Sequence, residues 1–394
     1  MDSIFSDRIA DVPRSFIREI LKVTLDPTII SFAGGLPNRA FFPVEELKAA
    51  TAKVFDMMGR DVLQYSTSEG FNGLREMIAR RYHDRQNLDI PVEDILITNG
   101  SQQGLDLMGK TFINEGDDII VEEPAYLGAI QAFSLFKPRF NPVTLTEEGL
   151  DIRQFKSVMA VKKPKLIYTV PNFQNPSGIS YSGQSRSEVA GIIKGTNTLL
   201  IEDDPYGDLR YSGTDKPSFK AILPKNTILF GSFSKTISPG LRIGWIVAPH
   251  DIMEKLIVAK QAADLHTTHF TQCILCQYMQ DNDIDAHIRK IKECYGQQMQ
   301  AMLNSIEKYF PDKVAHTTPD GGMFLWVTLP ENVSSRDLLD LALKDKVIFV
   351  PGDPFYVNRQ NTNTLRLNFS CTNEETIDTG IKNLGKAMKQ LLKK

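Results

Sequence analysis

Residues 227–242 read Thr227-Ile228-Leu229-Phe230-Gly231-Ser232-Phe233-Ser234-Lys235-Thr236-Ile237-Ser238-Pro239-Gly240-Leu241-Arg242. A strand-like apolar run breaks into small and hydroxyl residues, sets a lysine just beyond the strand end, and reaches an arginine shortly after. A lysine that attacks an aldehyde must be neutral, and partial burial beside a cation such as Arg242 lowers its pKa toward that condition. A lysine after a strand can also be merely solvated, so its surroundings along the chain decide.

Similar short apolar runs recur at 95–98, 118–121, 166–170, 199–202, 228–230 and 243–247, separated by longer amphipathic stretches. This rhythm predicts an α/β domain with a mostly parallel sheet. In such sheets ligand groups collect on the loops after the strands' carboxyl ends. After about Ile288 the texture changes to helix, then Gly321-Gly322-Met323-Phe324-Leu325-Trp326-Val327, a helix near 336–343, and Leu365-Arg366-Leu367-Asn368-Phe369. A smaller α+β domain is expected there, closed by an amphipathic helix through Ile377, Ile381, Leu384 and Leu391. The first forty or so residues, with Phe32-Ala33-Gly34-Gly35-Leu36-Pro37, read as an arm. The expected division is an arm over 1–40, a large domain over 41–287 and a small domain over 288–394.

The 394 residues, 42% of them hydrophobic, suffice for one large core or two linked ones. A net charge of -3 argues against nucleic acid as a partner and leaves small molecules and other protein chains. The four cysteines lack the density of a disulfide scaffold, and Cys273-x-x-Cys276 has no second pair at zinc spacing, so buried packing thiols in a reducing cytoplasm are expected. His266 and His269 are spaced H-x-x-H without an acidic cluster, and no metal is expected. Met1-Asp2-Ser3 opens without a basic region before an apolar stretch, and no run approaches membrane-span length, so neither export nor a membrane is expected.

The loops carry the chemistry. Leu199-Leu200-Ile201-Glu202-Asp203-Asp204-Pro205-Tyr206 ends a strand in acids and an aromatic, and a carboxylate there can hold a pyridine nitrogen protonated; either acid can equally cap a helix ahead of Pro205. Thr98-Asn99-Gly100-Ser101-Gln102-Gln103-Gly104 lies between a strand and an amphipathic helix, whose first N–H groups are free for an anion. It is neither G-x-G-x-x-G nor a Walker loop, so nicotinamide and nucleoside triphosphate chemistry lose their main support. Asn172-Phe173-Gln174-Asn175-Pro176-Ser177-Gly178 follows another strand and offers the Asn175 amide ahead of a proline that biases it to extended backbone. Arg366, isolated between apolar residues of a predicted strand, asks for an anionic partner.

Ser232-x-Ser234-Lys235 with Arg242, Asp203-x-x-Tyr206, Asn175-Pro176-x-Gly178, Gly100-Ser101-Gln102 and Arg366 stand in the order and spacing of the fold type I aminotransferases that depend on pyridoxal 5′-phosphate (PLP). The resemblance covers essentially the whole chain. It implies a large domain with a seven-stranded, mostly parallel sheet, a smaller α+β domain, and a homodimer with shared sites. It further implies Lys235 as the Schiff-base lysine and proton carrier, Asp203 on the pyridinium nitrogen, and Asn175 and Tyr206 on the 3′-oxygen. Tyr126 would cover the ring, while Ser101, Gln102, Ser232, Ser234 and Arg242 would hold the phosphate, joined by Tyr65 from the other subunit. Arg366 would take the substrate α-carboxylate, with Asn175 and Gly35 beside it.

Ser31-Phe32-Ala33-Gly34-Gly35-Leu36-Pro37, Gln64-Tyr65-Ser66, Gly100-Ser101-Gln102-Gln103 and Ala263-Asp264-Leu265-His266-Thr267 are similar to the branch of 2-aminoadipate and kynurenine aminotransferases. That likeness implies L-amino acid donors of the 2-aminoadipate, leucine or aromatic type, 2-oxoglutarate as acceptor, and a ping-pong mechanism. It also implies that Arg18, on a short helix of the arm, is a movable cation for distal carboxylates. Competing expectations are β-elimination or decarboxylation with the same cofactor, and the ligand-sensing half of a MocR-type regulator. About thirty residues precede Ser31, fewer than a helix-turn-helix domain with its linker needs.

Overall fold

The computed structural model describes residues 4–10, 12 and 26–393. Its strands, in chain order, are β1 Ile30–Ser31, β2 Ile95–Thr98, β3 Asp118–Glu123, β4 Arg139–Thr146, β5 Gly149–Leu150, β6 Leu166–Thr169, β7 Leu199–Asp203, β8 Thr227–Ser232, β9 Gly244–Val247, β10 Ala315–His316, β11 Phe324–Thr328, β12 Val347–Ile348, β13 Val350–Pro351 and β14 Thr364–Asn368. The large sheet runs β2-β9-β8-β7-β6-β3-β4-β5. Strands β8, β7, β6, β3 and β4 are parallel in succession, and β9 lies antiparallel between β8 and β2. The two-residue β5 is a hairpin extension of β4 that adds an eighth strand to the seven expected.

Every residue of β2, β6, β8 and β9 is buried, which is why these strands read as continuous apolar runs: helices cover both faces. The period of two still sorts side chains between the faces. Ile120, Ile167 and Leu200 pack toward Phe155 and Val189 of helices Ile152–Lys162 and Gly183–Ile193. Val121, Tyr168, Ile201 and Phe230 join the core shared with the C-terminal elements.

A long helix, Ile284–Tyr309, leads into a four-stranded antiparallel sheet, β10-β11-β14-β13, and helix Glu374–Leu391 closes that part on buried Ile377, Ile381 and Leu384. The segment after residue 29 is stitched to this sheet's neighbours. Strand β1 pairs in parallel with β12, Phe32 N–H donates to Ile348 O at 2.8 Å, and Asn368 N–H donates to Phe32 O at 2.9 Å. Gly380 of the closing helix lets it approach, because a Cβ there would lie 2.6 Å from the Phe32 ring.

Cys273 and Cys276 are buried free thiols on helix His269–Asp281. Among the described residues no cluster of three or more His, Cys, Asp or Glu is arranged to hold a metal, and no helix is long and apolar enough to cross a membrane.

Candidate active site

Topology concentrates the polar loops. Because β2 and β8 both lie antiparallel to β9, the carboxyl ends of β2, β3, β6, β7 and β8 and the amino end of β9 share one edge. That edge opens onto a cleft of about 650 Å³ lined by Gly35, Ser101, Gln102, Tyr126, Asn175, Asp203, Tyr206, Ser232, Ser234, Lys235, Arg242 and Arg366. Of the described residues given a role by the resemblance, Tyr65 alone is not on its wall. Tyr65 is 78% exposed, with its ring edge-on to His266 at 5.9 Å. Arg18 lies outside the described residues.

Lys235 donates from Nζ to Gly35 O at 2.8 Å, across from the segment stitched to β12. Burial, aided by the charges of Arg366 and Arg242, pushes its pKa down to about 8, so far more of the amine is neutral near pH 7 than in an exposed lysine. The two acids after β7 separate. Asp203, 2% exposed, is on the cleft wall and accepts from Tyr168 Oη at 2.8 Å; Asp204 accepts from Asn172 Nδ2 at 2.9 Å and does not line the cleft. Burial raises Asp203 to about 6 against the Tyr168 hydrogen bond, which lowers it. Its Oδ1 is buried without a partner.

Helix Ser101–Phe112 begins at Gly100 with no side-chain cap, whereas Asp151, Ser182, Asp283 and Asn373 cap their own helices. Its first N–H groups are thus left for an anion. Gly100 has φ 74°, and a Cβ on it would lie 2.6 Å from Arg242 Nη2, so only glycine lets the arginine close on the helix start. Arg242 Nη2 donates to Asn99 O at 3.0 Å. Ser232 Oγ donates to Ser234 Oγ at 2.9 Å and accepts from Ser234 N–H at 3.1 Å, so Ser234 orients Ser232. Gln102 Nε2 donates to Gly128 O at 3.0 Å, next to Tyr126.

At the opposite wall Arg366 is 2% exposed on β14. It donates from Nη1 to Asn175 Oδ1 at 2.8 Å and from Nη2 to Ala33 O at 2.7 Å, and its guanidinium carbon lies 4.3 Å and 5.3 Å from the Phe324 and Phe355 ring centres. No carboxylate among the described residues pairs with it, and Nε has no partner. Burial lowers its pKa to about 10, which still leaves it cationic at neutral pH. Asn175 Nδ2 reaches Tyr206 Oη at 3.5 Å. The glycine of Asn175-Pro176-x-Gly178 is needed because its φ is 73° and a Cβ would lie 2.6 Å from Phe324 O.

Four contributors went unseen in the sequence. Tyr168 faces Asp203 because Tyr168 pairs with Ile201, two residues before Asp203 and so on the same face of β7; a tyrosine in an otherwise apolar run was the available signal. Phe324 and Phe355, which sandwich Arg366, and the Ala33 carbonyl gave none.

A family model for aminotransferase class I and II matches residues 29–384. The chain belongs to this family of aminotransferases. It is 40% identical over 100% of its length to aromatic-amino-acid aminotransferase 1 of Thermococcus litoralis, covering 96% of that protein. The α-aminoadipate aminotransferase of Thermus thermophilus, solved with N-(5′-phosphopyridoxyl)-L-leucine, is similar at a TM-score of 0.92 and 38% identity over 99% of this chain and 98% of that one. The kynurenine aminotransferase of Pyrococcus horikoshii, solved with PMP, is similar at a TM-score of 0.94 and 39% identity over 99% and 98%. Like them, this aminotransferase works with PLP. Its cleft fits the group: an unpartnered buried carboxylate oxygen for a ring nitrogen, an uncapped helix start with an arginine for a phosphate, and a lysine of depressed pKa on the same wall.

Proposed function

We propose that this aminotransferase moves the amino group of an L-amino acid of the 2-aminoadipate, leucine or aromatic type to a 2-oxo acid, with 2-oxoglutarate as acceptor, in two alternating half-reactions. The observation that carries the reading is the buried Arg366, without a carboxylate partner, in the same cleft as Lys235. A planar fork that keeps its charge in an apolar sandwich matches an α-carboxylate bidentately. The donors named are those of the similar proteins from Thermococcus, Thermus and Pyrococcus.

When bound, PLP supplies the electron sink for the pair left behind as the Cα proton departs. The chain's own residues do the rest. Lys235 would hold the cofactor covalently and, as a free amine, would take and carry the Cα proton. Asp203 would keep the ring nitrogen protonated, with Tyr168 holding the carboxylate in place. Asn175 and Tyr206 would bind the 3′-oxygen, and Tyr126 would cover the ring. Ser101, Gln102, Ser232 and Arg242 would hold the phosphate, with Ser234 orienting Ser232. Arg366, Asn175 and the Gly35 segment fix the amino acid, and Arg18 answers a distal carboxylate.

We assign the large domain to 41–287, the small domain to 288–394 and an arm to 1–40, and we read the enzyme as a homodimer of the cytoplasm. Exposed Leu63, Tyr65 and Leu265 support the dimer: they lie together through the Tyr65–His266 contact, and a second copy covering them would bring Tyr65 to its own phosphate site. Four free cysteines favour a reducing compartment.

Stopped-flow absorbance of the holoenzyme, with each half-reaction followed separately, tests the reading. Aromatic amino acids, leucine and 2-aminoadipate should each convert the cofactor, yield the matching 2-oxo acid, and be reversed by 2-oxoglutarate. Release of ammonia or carbon dioxide in place of the 2-oxo acid would replace transamination by elimination or decarboxylation.

A further inference from the structure

Asn99 immediately precedes Gly100 and the uncapped helix start, so its placement decides where those N–H groups point. Three of its polar groups are held. The backbone N–H donates to Gln103 Oε1 at 2.8 Å, the side-chain Nδ2 donates to Asp264 Oδ2 at 2.5 Å, and the carbonyl accepts from Arg242 Nη2 at 3.0 Å. Gln103 Nε2 donates to the same Asp264 oxygen at 2.7 Å.

Behind this pair stands Lys260, whose side chain is fully buried. Its Nζ donates to Asp264 Oδ1 at 2.6 Å, Gln103 Oε1 at 3.0 Å and Thr267 Oγ1 at 3.0 Å, using all three of its hydrogens. A buried ammonium is tolerated only when paired and hydrogen-bonded throughout, and a fully satisfied buried network is rigid. The segment that supplies Asp264 and Thr267 is itself under tension. Leu265, between them in the chain, has φ 63° and ψ -60°, a conformation that a non-glycine residue keeps only where its neighbours are pinned. The same segment carries His266, whose Nε2 accepts from Ser66 N–H at 3.3 Å and whose ring meets Tyr65.

We infer that Lys260, Asp264 and Gln103 are positioning residues: one hydrogen-bonded cluster around the buried Lys260 that holds loop 99–101 in phosphate-binding register and, through His266, fixes the segment that bears Tyr65. The inference rests on the proposed placement of the phosphate at the start of helix Ser101–Phe112. Anion affinity at a helix start depends on N–H groups held in place before the ligand arrives, so loosening the cluster weakens the grip on phosphate and leaves the ring-binding residues untouched.

The test strips the full-length enzyme of cofactor, then titrates it with PLP and separately with pyridoxal, which lacks the phosphate. In Lys260→Met, PLP affinity should fall roughly tenfold, the scale on which residues behind a ligand shell act. Pyridoxal affinity should stay unchanged. Asp264→Asn, which keeps the side chain's shape, carries the same expectation should Lys260→Met not fold. Equal losses for PLP and pyridoxal, or no loss for either, would make the cluster merely structural and overturn the inference. Arg242→Ala is the control for the reading beneath it. If that variant loses PLP selectively and the cluster variants do not, only the cluster's role falls; if it binds both like the wild type, the phosphate placement falls and takes the inference with it.

Discussion

The two ends of the cleft are built by different means. At the cofactor end Asp203 and Ser232 are the last residues of adjacent strands, and Lys235, Tyr206 and Ser101 follow within a few residues of strand ends in the same sheet. At the proposed substrate end Arg366 comes from β14, Asn175 from the loop after β6, and the Ala33 carbonyl from the segment beside β1, elements far apart in the chain and in three different sheets. A sheet fixes its strand ends relative to one another through continuous hydrogen-bond ladders. A site assembled between sheets is held by side-chain contacts and a few isolated backbone bonds, such as Asn368 N–H to Phe32 O, instead of a continuous ladder. Changes at the first end should therefore abolish a chemical step, and changes at the second should grade the fit of the substrate.

The largest effect expected is at Lys235. Lys235→Ala should lose the visible absorption band of the attached cofactor and lower turnover by roughly 10⁴-fold or more, since covalent attachment and proton transfer go together. Absorbance and steady-state rates check it. A variant with near-normal transamination would break the contrast at its strongest point.

The same contrast explains what could be read from the chain. Runs at 95–98, 166–170 and 199–202 coincide with β2, β6 and β7 because strands covered on both faces read as apolar runs, even where, like β2, they lie at the end of the sheet. Strand β4 escaped notice: its residues are mostly half-exposed and it contains Pro142, tolerated because β5 reaches only Leu145 and Thr146 and leaves that stretch at the sheet edge. Lys235, Asp203 and Asn175 were legible because each ends or follows a strand in sequence, so local order stands in for spatial order. The partners of Arg366 were not. Phe324, Phe355 and the Ala33 carbonyl meet it only through pairings between distant segments, which no local pattern encodes.

An intermediate effect is expected at Asp203. Asp203→Asn preserves the shape and the Tyr168 contact but removes the charge that keeps a ring nitrogen protonated. The amino-donor half-reaction, measured in a single turnover, should slow by about 10²- to 10³-fold, the range seen when one electrostatic partner of a transition state is lost, with the thermal midpoint little changed. An unchanged rate would shift the role to another group, and Asp204, engaged with Asn172 instead of the cleft, would be the first to examine.

The smallest effect sharpens the comparison most. Arg366→Lys keeps a cation in the apolar sandwich but gives up the fork that reaches Asn175 and Ala33 O at the cleft wall. A lysine is a point charge with no plane to stack between Phe324 and Phe355, so it can attract a carboxylate without orienting it. Because the α-carboxylate is common to every amino acid, KM should rise by about tenfold for aromatic, aliphatic and acidic donors alike, while kcat at saturation falls less. Steady-state kinetics with one donor of each type separates the possibilities. A loss confined to acidic donors would move Arg366 to side-chain recognition, and the substrate end would then owe its α-carboxylate grip to some other cation. A collapse of kcat as deep as that of Asp203→Asn would mean that the two ends respond alike. The distinction between a chemical end fixed by one sheet and a fitting end assembled between three would then fail.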